Sequence, residues 1–468
     1  MGLRVLVRFL ALPAVALAPV RAQEHAAIVV RVDRRVELTS IVFRLAGSPE
    51  YSQARLQGYA SAVDAWFGKH EDHAVVRRAR QLRATRGVSF DAVASFAVHL
   101  DRDDPLGEQG FDPLPARLDR RWTSADAAAF HADLRAFAKA SKADEFFARH
   151  EDFYAAAEAA MRATLAEHAD LSWFDRFFGA RPGARFQVAL GLLNGGANYG
   201  PSVQTKDGED LYCVLGCWQS DPDGKPVFGR PVVGTVVHEF CHSYCNPLVD
   251  RHLPELLAAG EKLFSLTEAA MREQAYGNAR TVLCESLVRA CTVRYVAASG
   301  DARAVAAAVA EEHARSFLWV GELAKVLERY EAARDRYPTL EEFAPDLVGF
   351  FRDAAADTEA ALARRPKVVT MTPANGATDV DPATQAIVIT FDRPMRDRSW
   401  AVVGGGEHFP KLGSLSYDAE RKVLTIPVEL KPDWEYEFWL NRGRYDAFRS
   451  AEGEALAPVR VRFRTRGQ

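Results

Sequence analysis

Hydrophobic residues are spaced in three ways along this chain, and each spacing predicts a different kind of element. Over residues 51–86 and again over 124–178, alanines and larger apolar residues recur at three- and four-residue intervals between charged ones, as on one face of an amphipathic helix. Helical spacing returns from 232 to about 365. Shorter runs are almost wholly apolar. Residues 26–32 and 36–43 are rich in Val, Ile and Leu, and the runs at 95–100, 186–193 and 210–218 are bounded by Asp, Gly and Asn, so all five are read as strands. Beyond Arg365 the third spacing begins. Apolar and polar residues alternate at 386–391, 423–428, 436–440 and 459–463 with turn residues between, which predicts a β-sandwich of about 100 residues.

The fold class that follows is α+β: a helix-rich domain at 23–365 with a small sheet just ahead of the helix at 232, then an all-β domain at 366–468. In the second part Pro373, Gly376-Ala377-Thr378-Asp379-Val380 and the run from Ile387 to Phe391-Asp392-Arg393-Pro394-Met395 resemble bacterial Ig-like domains appended to exported proteins. That resemblance implies a sandwich and an extracellular habit, and it brings no chemistry.

Residues 1–22 read as a secretory signal peptide. Arg4 and Arg8 precede an apolar stretch from Phe9 to Val20, and Val20-Arg21-Ala22 supplies a cleavage context. The stretch is too short for a membrane span and is broken by Pro13 and Pro19. Cleavage would remove three arginines and no acid, taking the formal charge from −4 to −7. Nucleic acid is therefore not an expected partner, and no further segment is apolar for long enough to span a membrane. The expected location is secreted or periplasmic. All six cysteines fall between Cys213 and Cys291, and in an oxidising compartment they could pair in fifteen ways that sequence does not resolve.

Candidate chemistry is concentrated at His238-Glu239-Phe240-Cys241-His242. On a helix, i and i+4 lie on one face one turn apart, so both imidazoles can reach one metal ion while Glu239 reaches its water. Val232, Val233, Val236, Val237 and Phe240 make this helix apolar over most of its circumference, so it should be buried. Two histidines and a carboxylate buried together would cost several kcal/mol without partners, and one Zn2+ satisfies all three.

The third ligand decides the class. A metzincin would carry Gly and His at the third and sixth positions after His242, where this chain has Cys245 and Leu248. Cys245 and His252 are rival ligands, the latter beyond Pro247, which is expected to end the helix. Among Glu255, Glu261, Glu268, Glu273 and Glu285, the first four have polar neighbours, whereas Glu285 sits in Val282-Leu283-Cys284-Glu285-Ser286-Leu287-Val288 and needs a positive partner. An ion pair with Arg289 at i+4 is compatible with ligation. With Glu285, the histidine pair resembles the gluzincin clan of zinc metallopeptidases. Asp33-Arg34-Arg35-Val36-Glu37-Leu38, Leu190-Gly191-Leu192-Leu193-Asn194-Gly195-Gly196 and Glu285 to Ala290 are similar to a family of exported bacterial proteins defined only as a domain of unknown function, over about 28–345. One departure from better-studied gluzincins is Arg289, where those often carry Asp.

The resemblance implies a zincin-like domain in which His238, His242 and Glu285 hold Zn2+ and Glu239 is the general base in hydrolysis of a peptide or protein substrate. Tyr276, in an expected turn at 274–278, is the candidate oxyanion donor, with Tyr199 its competitor. Two other classes fit the same residues: an amidase acting on cell-wall material, and a non-catalytic zinc-stabilised adhesion protein.

Overall fold

The computed structural model describes residues 28–53, 55–443 and 445–467, so the expected leader lies outside the described residues. The chain opens with β1 (Val29–Val32), α1 (Arg34–Leu45), α2 (Gln57–Phe67), α3 (Ala74–Arg86) and α4 (Asp91–His99). It continues through α5 (Ser124–Ser141), α6 (Ala143–Arg149), α7 (Glu151–His168) and α8 (Trp173–Phe178) to β2 (Ala184–Gly191), β3 (Ser202–Thr205) and β4 (Gly208–Gly216). Six helices follow: α9 (Pro231–Arg251), α10 (Leu253–Glu273), α11 (Ala279–Ala297), α12 (Ala302–Ala314), α13 (Val320–Ala332) and α14 (Ala344–Arg364). None of the described helices is long and apolar enough to cross a membrane.

The four strands form one sheet in the order β1-β2-β4-β3, with β1, β2 and β4 parallel and the edge strand β3 antiparallel to β4. Both faces are covered. Leu211, Cys213 and Leu215 of β4 enter the main core on the side of α9, while Tyr212 and Val214 pack with Val36, Ala94 and Ala97 from α1 and α4. Burial on both sides explains why the strands read as continuous apolar runs.

The same property misleads at two places. Residues 36–43 and 95–100 are not strands: the first run lies within α1, and the second is the end of α4 with Leu100 as its C-cap. Every residue from Arg35 to Phe43 and from Ala92 to His99 is buried, so neither run shows the one-sided periodicity that marks a helix. What fixes α1 is its start. The Asp33 side chain accepts from the Arg35 amide at 3.0 Å and caps the helix just after β1 ends.

Asp33 also pairs with the Arg35 guanidinium at 2.6 Å, and Arg35 reaches the Leu100 and Val98 carbonyls and the Tyr212 hydroxyl, tying α1 to α4 and the sheet. Glu37 holds the loop after β2: its carboxylate accepts from the Leu192 amide at 2.6 Å and from the Tyr59 hydroxyl at 2.7 Å. Burial, opposed by these two hydrogen bonds, raises the Glu37 carboxyl from 4.5 to about 7. Because the folded value is the higher one, its contribution is fully present below pH 4.5 and lost as pH rises to about 7. In Glu37→Gln the stability difference between those pH values, about 3 kcal/mol for this group, should disappear, while an acceptor for Leu192 is kept. Urea titrations of both proteins at the two pH values check this.

The second region folds as expected. β5 (Val368–Thr372), β6 (Ala386–Phe391), β10 (Val423–Glu429) and β8 (Lys411–Leu412) form one sheet, with β9 (Ser416–Tyr417) also on β10. β12 (Val459–Arg464), β11 (Glu435–Leu440) and β7 (Val402–Val403) form the other. Strict alternation along β6, β10 and β11 sends Ile387, Ile389, Leu424, Ile426 and Phe438 into a core separate from the helical one.

Candidate metal centre

Pro231 opens α9 at a position where its missing amide proton is not needed, and Val232, Val233, Val236, Val237 and Phe240 bury the helix. The i, i+4 spacing then sets the His238 and His242 rings 5.0 Å apart and nearly perpendicular. Asn278 caps α11, its side chain accepting from the Thr281 amide at 2.9 Å, and the buried face of α11 carries Glu285 to them. Glu285 Oε2 lies 3.6 Å from His238 Nε2 and Oε1 lies 3.5 Å from His242 Nε2. One ligand atom from each of the three residues falls within 4.8 Å of the others, and no other three His, Cys, Asp or Glu side chains gather so closely among the described residues.

The surroundings favour a neutral imidazole at His238 and an ionised carboxylate at Glu285. Burial pushes His238 down to about 3, so its imidazole is neutral. Burial opposes ionisation of Glu285, but His242, His238 and Arg289 together hold its carboxyl below the usual range. His242 Nδ1 meets Asn246 Oδ1 at 3.1 Å, which suits a proton on Nδ1 and leaves Nε2 with its lone pair toward Glu285. Glu239 is buried beside them, and burial, with Glu285 adding repulsion, raises its carboxyl well above the ordinary value. The donor set of two imidazoles and one carboxylate is chemically that of a catalytic zinc site.

Arg289 does not compete with this arrangement. It donates to Glu285 Oε2 at 3.0 Å, to the Tyr276 hydroxyl at 2.8 Å and to Glu312 Oε2 at 2.6 Å, and lies 4.5 Å over the Phe317 ring. Tyr276 does sit in the turn between α10 and α11, with its oxygen already bound by Arg289. Tyr199 is buried against the other face of the sheet, and its hydroxyl has no hydrogen-bond partner among the described residues. The next residue, Gly200, presses on α9. A Cβ there would stand 2.1 Å from the Glu239 carbonyl oxygen and 3.1 Å from His242 Cβ, so a side chain would push this loop off the helix.

The rival ligands lie elsewhere. His252 Nε2 bonds Glu341 Oε1 at 2.9 Å, and the Cys245 sulfur faces that of Cys291. Glu255, Glu261, Glu268 and Glu273 are exposed. Pro247 does not end the helix: α9 runs on to Arg251 with the proline inside it. A proline four residues on leaves the Ser243 carbonyl without its helical donor, and Arg181 supplies one at 3.0 Å. Sequence reasoning missed Asn246, although its i+4 spacing from His242 was available, and Glu312, whose approach depends on the packing of α12.

Comparison with known proteins finds two family matches. Residues 28–350 match the family described as domain of unknown function (DUF4932), and residues 363–465 match the bacterial Ig-like domain. No curated protein matches the chain. Among solved structures, the crystal structure of the S-layer protein rSbsC is 17% identical with a TM-score of 0.18, the match covering 49% of this chain and 33% of that one. The structure of surface layer protein SbsC, domains 1–6, is 14% identical with a TM-score of 0.18, over 53% of this chain and 35% of the other. This chain thus spans about a third of those proteins, at a similarity too low to carry an argument.

Proposed function

The chain belongs to the DUF4932 family and ends in a bacterial Ig-like domain, and from its own residues we propose that it is an exported, zinc-dependent hydrolase of peptide bonds with a zincin-like catalytic domain. The observation that carries the reading is the convergence of His238, His242 and Glu285 with Glu239 buried on the same helix turn. A mixed sheet with an antiparallel edge strand, whose preceding loop lies on that helix, supports it further.

His238 Nε2, His242 Nε2 and a Glu285 carboxylate oxygen would hold the ion. A bound Zn2+ supplies Lewis acidity and lowers the pKa of water toward neutrality. Asn246 fixes the His242 tautomer, and Arg289 restrains Glu285 through Oε2. The Glu239 carboxylate accepts a proton from the attacking water and passes it to the leaving nitrogen. That role requires Glu239 to be ionised, and burial disfavours ionisation until a cation sits beside it. Tyr276 is the proposed oxyanion donor, because Arg289 anchors its oxygen next to Glu285 and burial keeps its proton in place.

Digestion of a random peptide library by the zinc-loaded full chain tests the reading. Cleavage should be abolished by a chelator and restored by added zinc. An intact library after incubation with folded, zinc-loaded protein would remove peptides as the substrate class.

A further inference from the structure

The two helices that bring the candidate ligands together also bring two sulfurs into contact. Three residues beyond His242, α9 carries Cys245, and six beyond Glu285, α11 carries Cys291. Their Sγ atoms lie 3.8 Å apart, and neither residue is exposed. The order of these contacts means that α9 and α11 run side by side in one direction, with the polar centre at one level and the sulfur pair about one turn further along. Cys241 and Cys284 are buried nearby, but among the described residues no third ligating group approaches Cys245 and Cys291 closely enough to make a metal cluster. Cys245 and Cys291 both belong to the main apolar core, together with Val249 on α9 and Val288 on α11.

We propose that Cys245 and Cys291 are a disulfide site: oxidation joins α9 to α11 and fixes the spacing of the helices from which His238, His242 and Glu285 project. The inference does not depend on the hydrolase reading, because the sulfurs touch whether or not an ion is held. The oxidant is a small disulfide such as oxidised glutathione. The Cys245 thiolate attacks one of its sulfurs and releases one glutathione. The Cys291 thiolate then attacks the Cys245 sulfur of the mixed disulfide and releases the second, so two protein thiols lose two electrons and two protons while one glutathione disulfide becomes two thiols. Both sulfurs are sealed in the folded chain, so exchange belongs to folding, before the helices close, and the finished bond is shielded from reductants.

The test uses the full chain, stripped of metal by a chelator and refolded from denaturant in reduced glutathione alone or in a reduced and oxidised mixture. After acid quenching and alkylation, peptides are mapped by mass spectrometry without reduction. The oxidised sample should contain one linked pair holding Cys245 and Cys291, about two mass units below the sum of the free peptides. Its unfolding temperature should exceed that of the reduced sample by roughly 5–10 °C. A chain carrying both Cys245→Ala and Cys291→Ala should show neither the linked pair nor the redox-dependent difference. Both cysteines alkylated after oxidative refolding to the helix content of the untreated protein, or Cys245 linked to Cys241 or Cys284, would overturn the proposal. If oxidative refolding fails to recover helix, the chain is oxidised with diamide in enough urea to let the helices open, returned to buffer and mapped in the same way, and free Cys245 and Cys291 there also count against it.

Discussion

Glu239→Gln should leave the zinc content of the protein unchanged and lower peptide turnover by at least ~10²–10⁴-fold, the contribution of a positioned general base. Glu239 follows His238 directly and therefore points about 100° away from it around α9, so its carboxyl is not among the three groups that converge. Gln has nearly the same shape, and Glu239 is buried, so the substitution removes a proton acceptor without opening a cavity. Metal content and turnover measured on one preparation separate the two effects. Loss of zinc in this variant would mean that Glu239 is a ligand, and full activity would mean that another group takes the proton.

Glu285→Gln should fail differently. It exchanges an anionic ligand for a neutral amide, so zinc affinity should fall by more than the ~10–100-fold typical of losing a supporting partner. The amide oxygen still receives Arg289, and Glu312 still neutralises that guanidinium at 2.6 Å, so the metal-free protein should unfold at nearly the parent temperature. The difference should appear when zinc is added. The parent is stabilised by an ion that bridges α9 and α11, and the variant is not. Calorimetry with and without zinc, alongside a competition titration against a chromophoric chelator, reads both quantities. A variant that keeps its zinc and its activity would reduce Glu285 to the partner of Arg289.

The convergence of His238, His242 and Glu285 was legible because two of its signals are local. The i, i+4 spacing is a property of one helix, and a lone carboxylate within Val282 to Val288 stands out wherever that helix packs. The alternating strands of the Ig-like region were legible for a similar reason: each buries one face, so the pattern survives in the sequence. Residues 36–43 and 95–100 misled because a helix buried all round reads like a strand buried on both faces. Pro247 misled because the donor that satisfies Ser243, Arg181, comes from the loop before β2, 62 residues away. Arg289 reached further than its i+4 ion pair suggested, since its links to Tyr276 and Glu312 exist only once α10, α11 and α12 have packed.

The central claim is that these three side chains hold a metal, and elemental analysis tests it most directly. The full chain, reconstituted with zinc and desalted, should carry about one equivalent, and His238→Ala and His242→Ala should each lose it while keeping the parent's far-ultraviolet circular dichroism. A folded parent protein that retains no transition metal after reconstitution would contradict the account.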